Sequence, residues 1–169
     1  MTRLLVVLGL ASIWMFAAGG AAAAGPDRLP FVPTDIVFDG EDVPLVCDFP
    51  VQWQNAVNHA RTLVFPVKRN GDQVIRSVGD VRTVVTNLAS GRSVTLGGGF
   101  REDIVIHSDG SITVIIDGAV LAGYAATDHP IGPSLWFFRG HLVDTVDSGF
   151  TLINHRFHGR QQNLCTALG

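Results

Sequence analysis

The chain has 169 residues and a formal charge of −3, with 12 Lys+Arg against 15 Asp+Glu. That length suits one domain with a real core. Lys68 is the only lysine and the arginines are scattered, so the sequence offers no basic patch and argues against nucleic acid or anionic lipid as a partner.

Residues 1–24 read as a secretory signal peptide. Arg3 supplies the positive start, Leu4 to Phe16 form an apolar run, and Ala22-Ala23-Ala24 fits the small-residue cleavage site. A retained membrane anchor is the competing reading, but glycines and alanines dilute the run. Export implies a secreted, extracellular protein with no membrane association after cleavage. In that setting the two cysteines, Cys47 and Cys165, are expected to form one disulfide. Two free thiols are the alternative. With no Cys-x-x-Cys or spaced histidine partner they make a poor metal site.

Residues 25–44 hold four of the eight prolines and read as an extended lead-in, since proline removes a ladder donor and biases its predecessor to extended backbone. Ile36-Val37-Phe38 is expected to pack on the domain or add an edge strand. Residues 45–169 form the domain proper. "LVCDFPVQWQNAV" alternates, with Val51, Trp53 and Val57 on one face and Asn55 as the exception. "WQNAVNHARTL" is the one stretch with helical spacing. Asn70-Gly71 predicts a tight turn after "RTLVFPV". "QVIRSVGDVRTVVTNL" is a long strand with Gly79 as a bend or bulge. "SVTLGGG" returns the chain, and the three glycines Gly97, Gly98 and Gly99 read as a bend between strands. "EDIVIH", "SITVIIDGAVLAGY", "SLWFFRGHLVDTV" and "FTLINHRFHGR" complete the series, joined by turns rich in Ser, Asp and Gly.

These hairpins predict an all-β antiparallel meander of about eight strands. Open edges invite aggregation, and the two cysteines lie at the start of the first strand and just after the last. A small closed β-barrel with its seam stapled by Cys47–Cys165 follows, with a β-sandwich as the alternative.

"LVCDFPV", "VTNLASGRSVT", "HSDGS", "WFFRGH" and "GRQQNLCTAL" together resemble a family of small secreted actinobacterial proteins of unknown function. The likeness covers most of the mature chain, and its motifs are strand starts, a hairpin and the disulfide. It implies an exported β-domain and carries no catalytic residue. In layout alone the chain is similar to dirigent and allene-oxide-cyclase barrels, and fold does not give function.

Candidate chemistry is sparse. His155 and His158 are three apart, so on a strand they face opposite ways. His141 and His155 are expected to approach across the last hairpin, where Asp144 would complete a weak metal or acid/base site. Asp117 is either a buried acid or a surface residue before a bend glycine. His107 and His129 are expected in solvent. "SLWFFRG" puts Trp136 and Phe138 on one face and Leu135 and Phe137 on the other, so both faces are expected to be covered. Trp53, Trp136, Phe138, Arg139, His141 and His155 are the candidate ligand-binding residues, and Arg139, Arg156 and Arg160 cluster on the last hairpin. No catalytic residue, metal or cofactor is assigned. Three functions fit: a monomeric barrel holding a small apolar or amphipathic ligand in its lumen, an extracellular interaction module without a pocket, and a cyclase- or isomerase-like enzyme.

Overall fold

The computed structural model describes residues 27–29, 35–41 and 43–169. The expected signal peptide and part of the lead-in lie outside these. The described residues form one antiparallel sheet of nine strands and a short terminal helix. The strands are β1 (Asp27–Leu29), β2 (Asp35–Phe38), β3 (Val51–Asn58), β4 (Arg61–Val64), β5 (Gln73–Asn87), β6 (Ser93–Ile106), β7 (Ile112–Tyr124), β8 (Ser134–Val146) and β9 (Leu152–Asn163), followed by α1 (Leu164–Leu168).

The lead-in contributes two of these strands. β1 pairs with β4, and β2 pairs with β3, with Ile36 opposite Trp53 and Phe38 opposite Val51. The stretch with helical spacing is two strands, β3 and β4, and the one helix lies instead in the cysteine-containing tail. Asn55, the polar residue on an apolar face, sits at a bulge between β3 and β5, and its Oδ1 accepts from Thr83 Oγ1 at 2.8 Å.

β5 is long enough to serve two neighbours on one side. Its first half pairs with β4 and its second with β3. Gly79 marks the changeover: a β-carbon there would lie 2.4 Å from Ala60 Cα in the link between β3 and β4. Gly97-Gly98-Gly99 is not a bend between strands but the middle of β6. The lack of side chains is needed for close approach, since a β-carbon on Gly97 would meet Val81 O at 2.5 Å and one on Gly98 would meet Ala119 Cβ at 2.7 Å.

One row of register decides the shape of the sheet. Gly79 opposes Phe100, Phe100 opposes Gly118, Gly118 opposes Gly140, and Gly140 opposes Gly159. Gly118, Gly140 and Gly159 have φ of 116°, 151° and 146°, which side chains on an L-residue disfavour. A β-carbon on any of the three would come within 2.3 Å of a backbone oxygen on the neighbouring strand. The row is a crease. Beyond it the β6–β7 ladder ends, while β7, β8 and β9 continue together.

Two cores result. One gathers Ile75, Ile104, Val114, Ile116, Ala122, Tyr124, Phe138, Leu142, Val146 and Leu152, and so joins residues from both sides of the crease on one face, called the inner face below. The other gathers Ala119, Leu121, Leu135 and Phe137 with Phe38, Val46, Val51, Trp53, Val85, Leu164 and Leu168. The upper halves of β7 and β8 are therefore buried on both faces. The unbroken apolar run of "SLWFF" reflects this, since a strand covered on both sides loses its polar alternation.

Hydrogen bonds between strands do not close the sheet, whose path runs from β1 to β9. All nine strands belong to one hydrogen-bonded sheet. The expected bridge is present: Cys47 and Cys165 are bonded, with Cα atoms 5.3 Å apart. It ties the approach to β3 to α1 rather than pairing first and last strands. Asn163 caps α1 by accepting from Thr166 N, and Leu164 and Leu168 bury into the second core. Asn87 Nδ2 donates to Leu168 O at 3.1 Å and Arg92 Nη2 to Ala167 O at 3.3 Å. A helix, a disulfide and the β5–β6 turn thus tie the end of β9 to the approach to β3.

Candidate functional site

The six candidate ligand residues do not converge. Trp136, Phe138 and His155 belong to the inner face. Trp136 stacks on Phe138 at 6.2 Å, and Phe138 lies 6.1 Å from the His155 ring. Trp53 is in the other core, stacked on Phe38 at 6.3 Å. Arg139 is on the outer face, with its Nη2 donating to Gly97 O at 3.0 Å and its guanidinium 5.2 Å over the Phe137 ring.

His141 and His155 are not partners. His141 opposes His158, and His155 opposes Asp144, so the two rings lie on opposite faces. The predicted group of His141, His155 and Asp144 is therefore split. Asp144 keeps His155, whose Nδ1 lies 2.6 Å from its Oδ1. His141 Nδ1 instead meets Asp117 at 2.7 Å, and both of those residues are exposed. His155 and His158 do face opposite ways. His107, expected in solvent, is half-buried with Nε2 2.9 Å from Thr113 Oγ1. Among the described residues no group of three or more His, Cys, Asp or Glu is placed to hold a metal ion.

Two groups that the sequence did not single out complete the inner face. Tyr124, the only tyrosine, donates its hydroxyl to Asp144 Oδ2 at 2.7 Å. Asp144 is 1% exposed, and the Tyr124 and His155 rings meet edge-on at 5.8 Å. Burial pushes the Asp144 carboxyl up, while the bonds from Tyr124 and His155 pull it down. Burial also raises the Tyr124 hydroxyl, so it stays a donor. With Asp144 accepting at Nδ1–H, the His155 ring turns Nε2 away from the carboxylate, the orientation of a base held by an acid.

The second group is Glu102. It is 8% exposed and stands between Ser77 and Ile116 in register, one row from Ile104, Val114 and Asp144 on the same face. The Ser77 hydroxyl is taken by Thr62 Oγ1 at 2.9 Å, and no described residue donates to the Glu102 carboxyl. Burial first, and the neighbouring Asp103 second, push it up to about 7. Asp103 itself faces outward and is held low, chiefly by its bond to Arg76. Trp136 Nε1 is the one fully buried side-chain polar atom without a partner among the described residues. Alternation in "REDIVIH" contained the signal for Glu102, since it shares a face with Ile104 and Ile106. Tyr124 could not be found that way, because its contact depends on the crease.

No family model matches the chain, and no curated protein or solved structure matches it either.

Proposed function

We propose that this is an exported β-domain that holds one small, mostly apolar molecule on the inner face of its folded sheet, with an amine or hydroxyl head group at Glu102. The observation that carries the reading is Glu102, a residue 8% exposed beside Ile116 on a largely apolar face, whose carboxyl has no donor among the described residues. A buried charge without a partner is costly, and natural interiors rarely keep one without a task. An amine supplies both the donor and the counter-charge; a hydroxyl supplies the donor alone. An apolar lining with a few polar points is the usual make-up of a ligand site. In this reading the folded sheet works as a small barrel whose seam is closed by α1 and side chains. The signal-like residues 1–24 and the disulfide support export into an oxidising compartment.

Native mass spectrometry with dodecylamine, dodecanol and dodecanoate tests this. One equivalent of dodecylamine is retained and dodecanoate is not, because a second carboxylate beside Glu102 is repelled. Glu102→Gln weakens the amine complex at least about tenfold, with an unchanged far-ultraviolet spectrum. No adduct with any of the three, or equal retention by the variant, contradicts the reading.

The Asp144–His155 pair favours a second reading, a proton-transfer enzyme. His155 Nε2 has no protein partner among the described residues. It would take a proton from a carbon or hydroxyl of the bound molecule and return it at another atom, an isomerisation without a cofactor. In that case His155→Gln abolishes turnover yet keeps ligand binding.

A further inference from the structure

The fold assembles what the sequence scatters. β9 is the last strand of the sheet, and its outer face carries Asn154, Arg156, His158, Arg160 and Gln162, at every second residue. His141 and Arg139, on the same face of β8, stand opposite His158 and Arg160. Arg139, His141, Arg156, His158 and Arg160 are all exposed. The one carboxylate in the His141 row, Asp117, is already bonded to His141. Arg156, His158 and Arg160 have no ion pair or side-chain hydrogen bond among the described residues. A chain of net charge −3 thus presents a strip of basic groups of which Arg156, His158 and Arg160 are left without a partner among the described residues.

We propose that this strip docks an acidic polysaccharide. Successive residues on one face of a strand advance about 6.7 Å, so the strip offers donors in a line, suited to a linear polymer with carboxylates at regular intervals. Guanidinium groups pair with carboxylates through two parallel bonds, and Asn154 and Gln162 at the ends suit sugar hydroxyls. Ile153, 61% exposed beside Asn154, is the one large apolar side chain at the strip's end, and a single such residue argues against insertion into a bilayer. The net acidity of the chain argues against duplex DNA, whose charge density would repel it over a longer range. Charges on an edge strand also deter self-pairing, and that role alone would not require a polymer to bind.

Retention on immobilised polygalacturonate separates these. The full chain binds at low salt and elutes as salt rises. The double variant R156Q/R160Q loses about tenfold in affinity, as expected for two exposed ion contacts. The control R61Q/R82Q, with the same change in net charge at exposed sites elsewhere, stays bound. No retention of the wild type, equal weakening by the two double variants, or tighter binding to a DNA duplex overturns the proposal. Both double variants change only exposed side chains, and a far-ultraviolet spectrum checks their folding.

Discussion

Tyr124 donates its hydroxyl to Asp144 at 2.7 Å, although Asp144 opposes Val114, ten residues back along β7 from Tyr124. Ten residues of straight strand span about 33 Å. The bond therefore exists only because β7 and β8 fold back at Gly118 and Gly140, and this relationship organises the inner face.

The crease makes the first prediction. A β-carbon at Gly118 would lie 2.3 Å from Gly99 O, at a φ of 116°. Gly118→Ala should cost about 3 kcal/mol in urea unfolding, combining backbone strain with overpacking. Gly91→Ala is the control. Its φ is 73° and nothing lies within 4 Å of the added carbon, so about 1 kcal/mol is expected. Equal costs would show that the crease is not a steric requirement.

Tyr124→Phe removes one of the two donors to a carboxyl that is 1% exposed. A buried acceptor losing its partner costs about 2 kcal/mol. The loss should appear in denaturant unfolding at pH 7, and the His155 ring should change its NMR shifts, since its edge-on neighbour and its acid are both altered. An unperturbed His155 would mean that the three groups do not act as a network.

Much of the strand pattern was legible because side-chain alternation and turn residues are local. Asn70-Gly71 and "SDG" fixed hairpins that the structure keeps. The crease was not legible in the same way. Gly79, Gly118, Gly140 and Gly159 are spread along the chain, and only register aligns them. Trp53 and Trp136, grouped by composition, fall in different cores, and His141 and His155 fall on different faces because the β8–β9 loop runs from Asp147 to Thr151 with a bulge at Thr145/Val146, which shifts the register from that of a turn at Asp147-Ser148-Gly149. The tail helix was hidden by its length of five residues, too short to show a period. The basic strip on β9 needed strand geometry before scattered arginines could be seen as one surface.

Glu102 makes stability depend on pH. Its carboxyl is pushed from the ordinary 4.5 up to about 7 by burial, so between those values the folded state holds a proton that the unfolded state has lost. Stability from this group is full below about pH 4.5 and falls as pH rises towards 7, by about 3 kcal/mol in all. Asp144 shifts in the same direction and Asp103 in the other, so the measurement is the difference between wild type and Glu102→Gln. The variant should gain on the wild type as pH goes from 4.5 to 8. A difference that stays flat would place Glu102 in water.

The disulfide joins residues 118 apart in sequence. Loop-closure arithmetic for that separation gives about 3–5 kcal/mol after residual structure is allowed for. The double variant C47A/C165A should lose that amount in urea, while Asn87 and Arg92 keep α1 partly docked. A loss below about 1 kcal/mol would mean that packing alone holds the seam.

The central claim is that an apolar interior holds one unpartnered carboxyl ready for a ligand head group. Carbon-13 NMR titration of the Glu102 carboxyl, with and without saturating dodecylamine, reads it directly. The expected midpoint is about 7 in the free protein, displaced downward when the ammonium sits beside it. A midpoint in the ordinary carboxylate range that the amine leaves unmoved would contradict the claim.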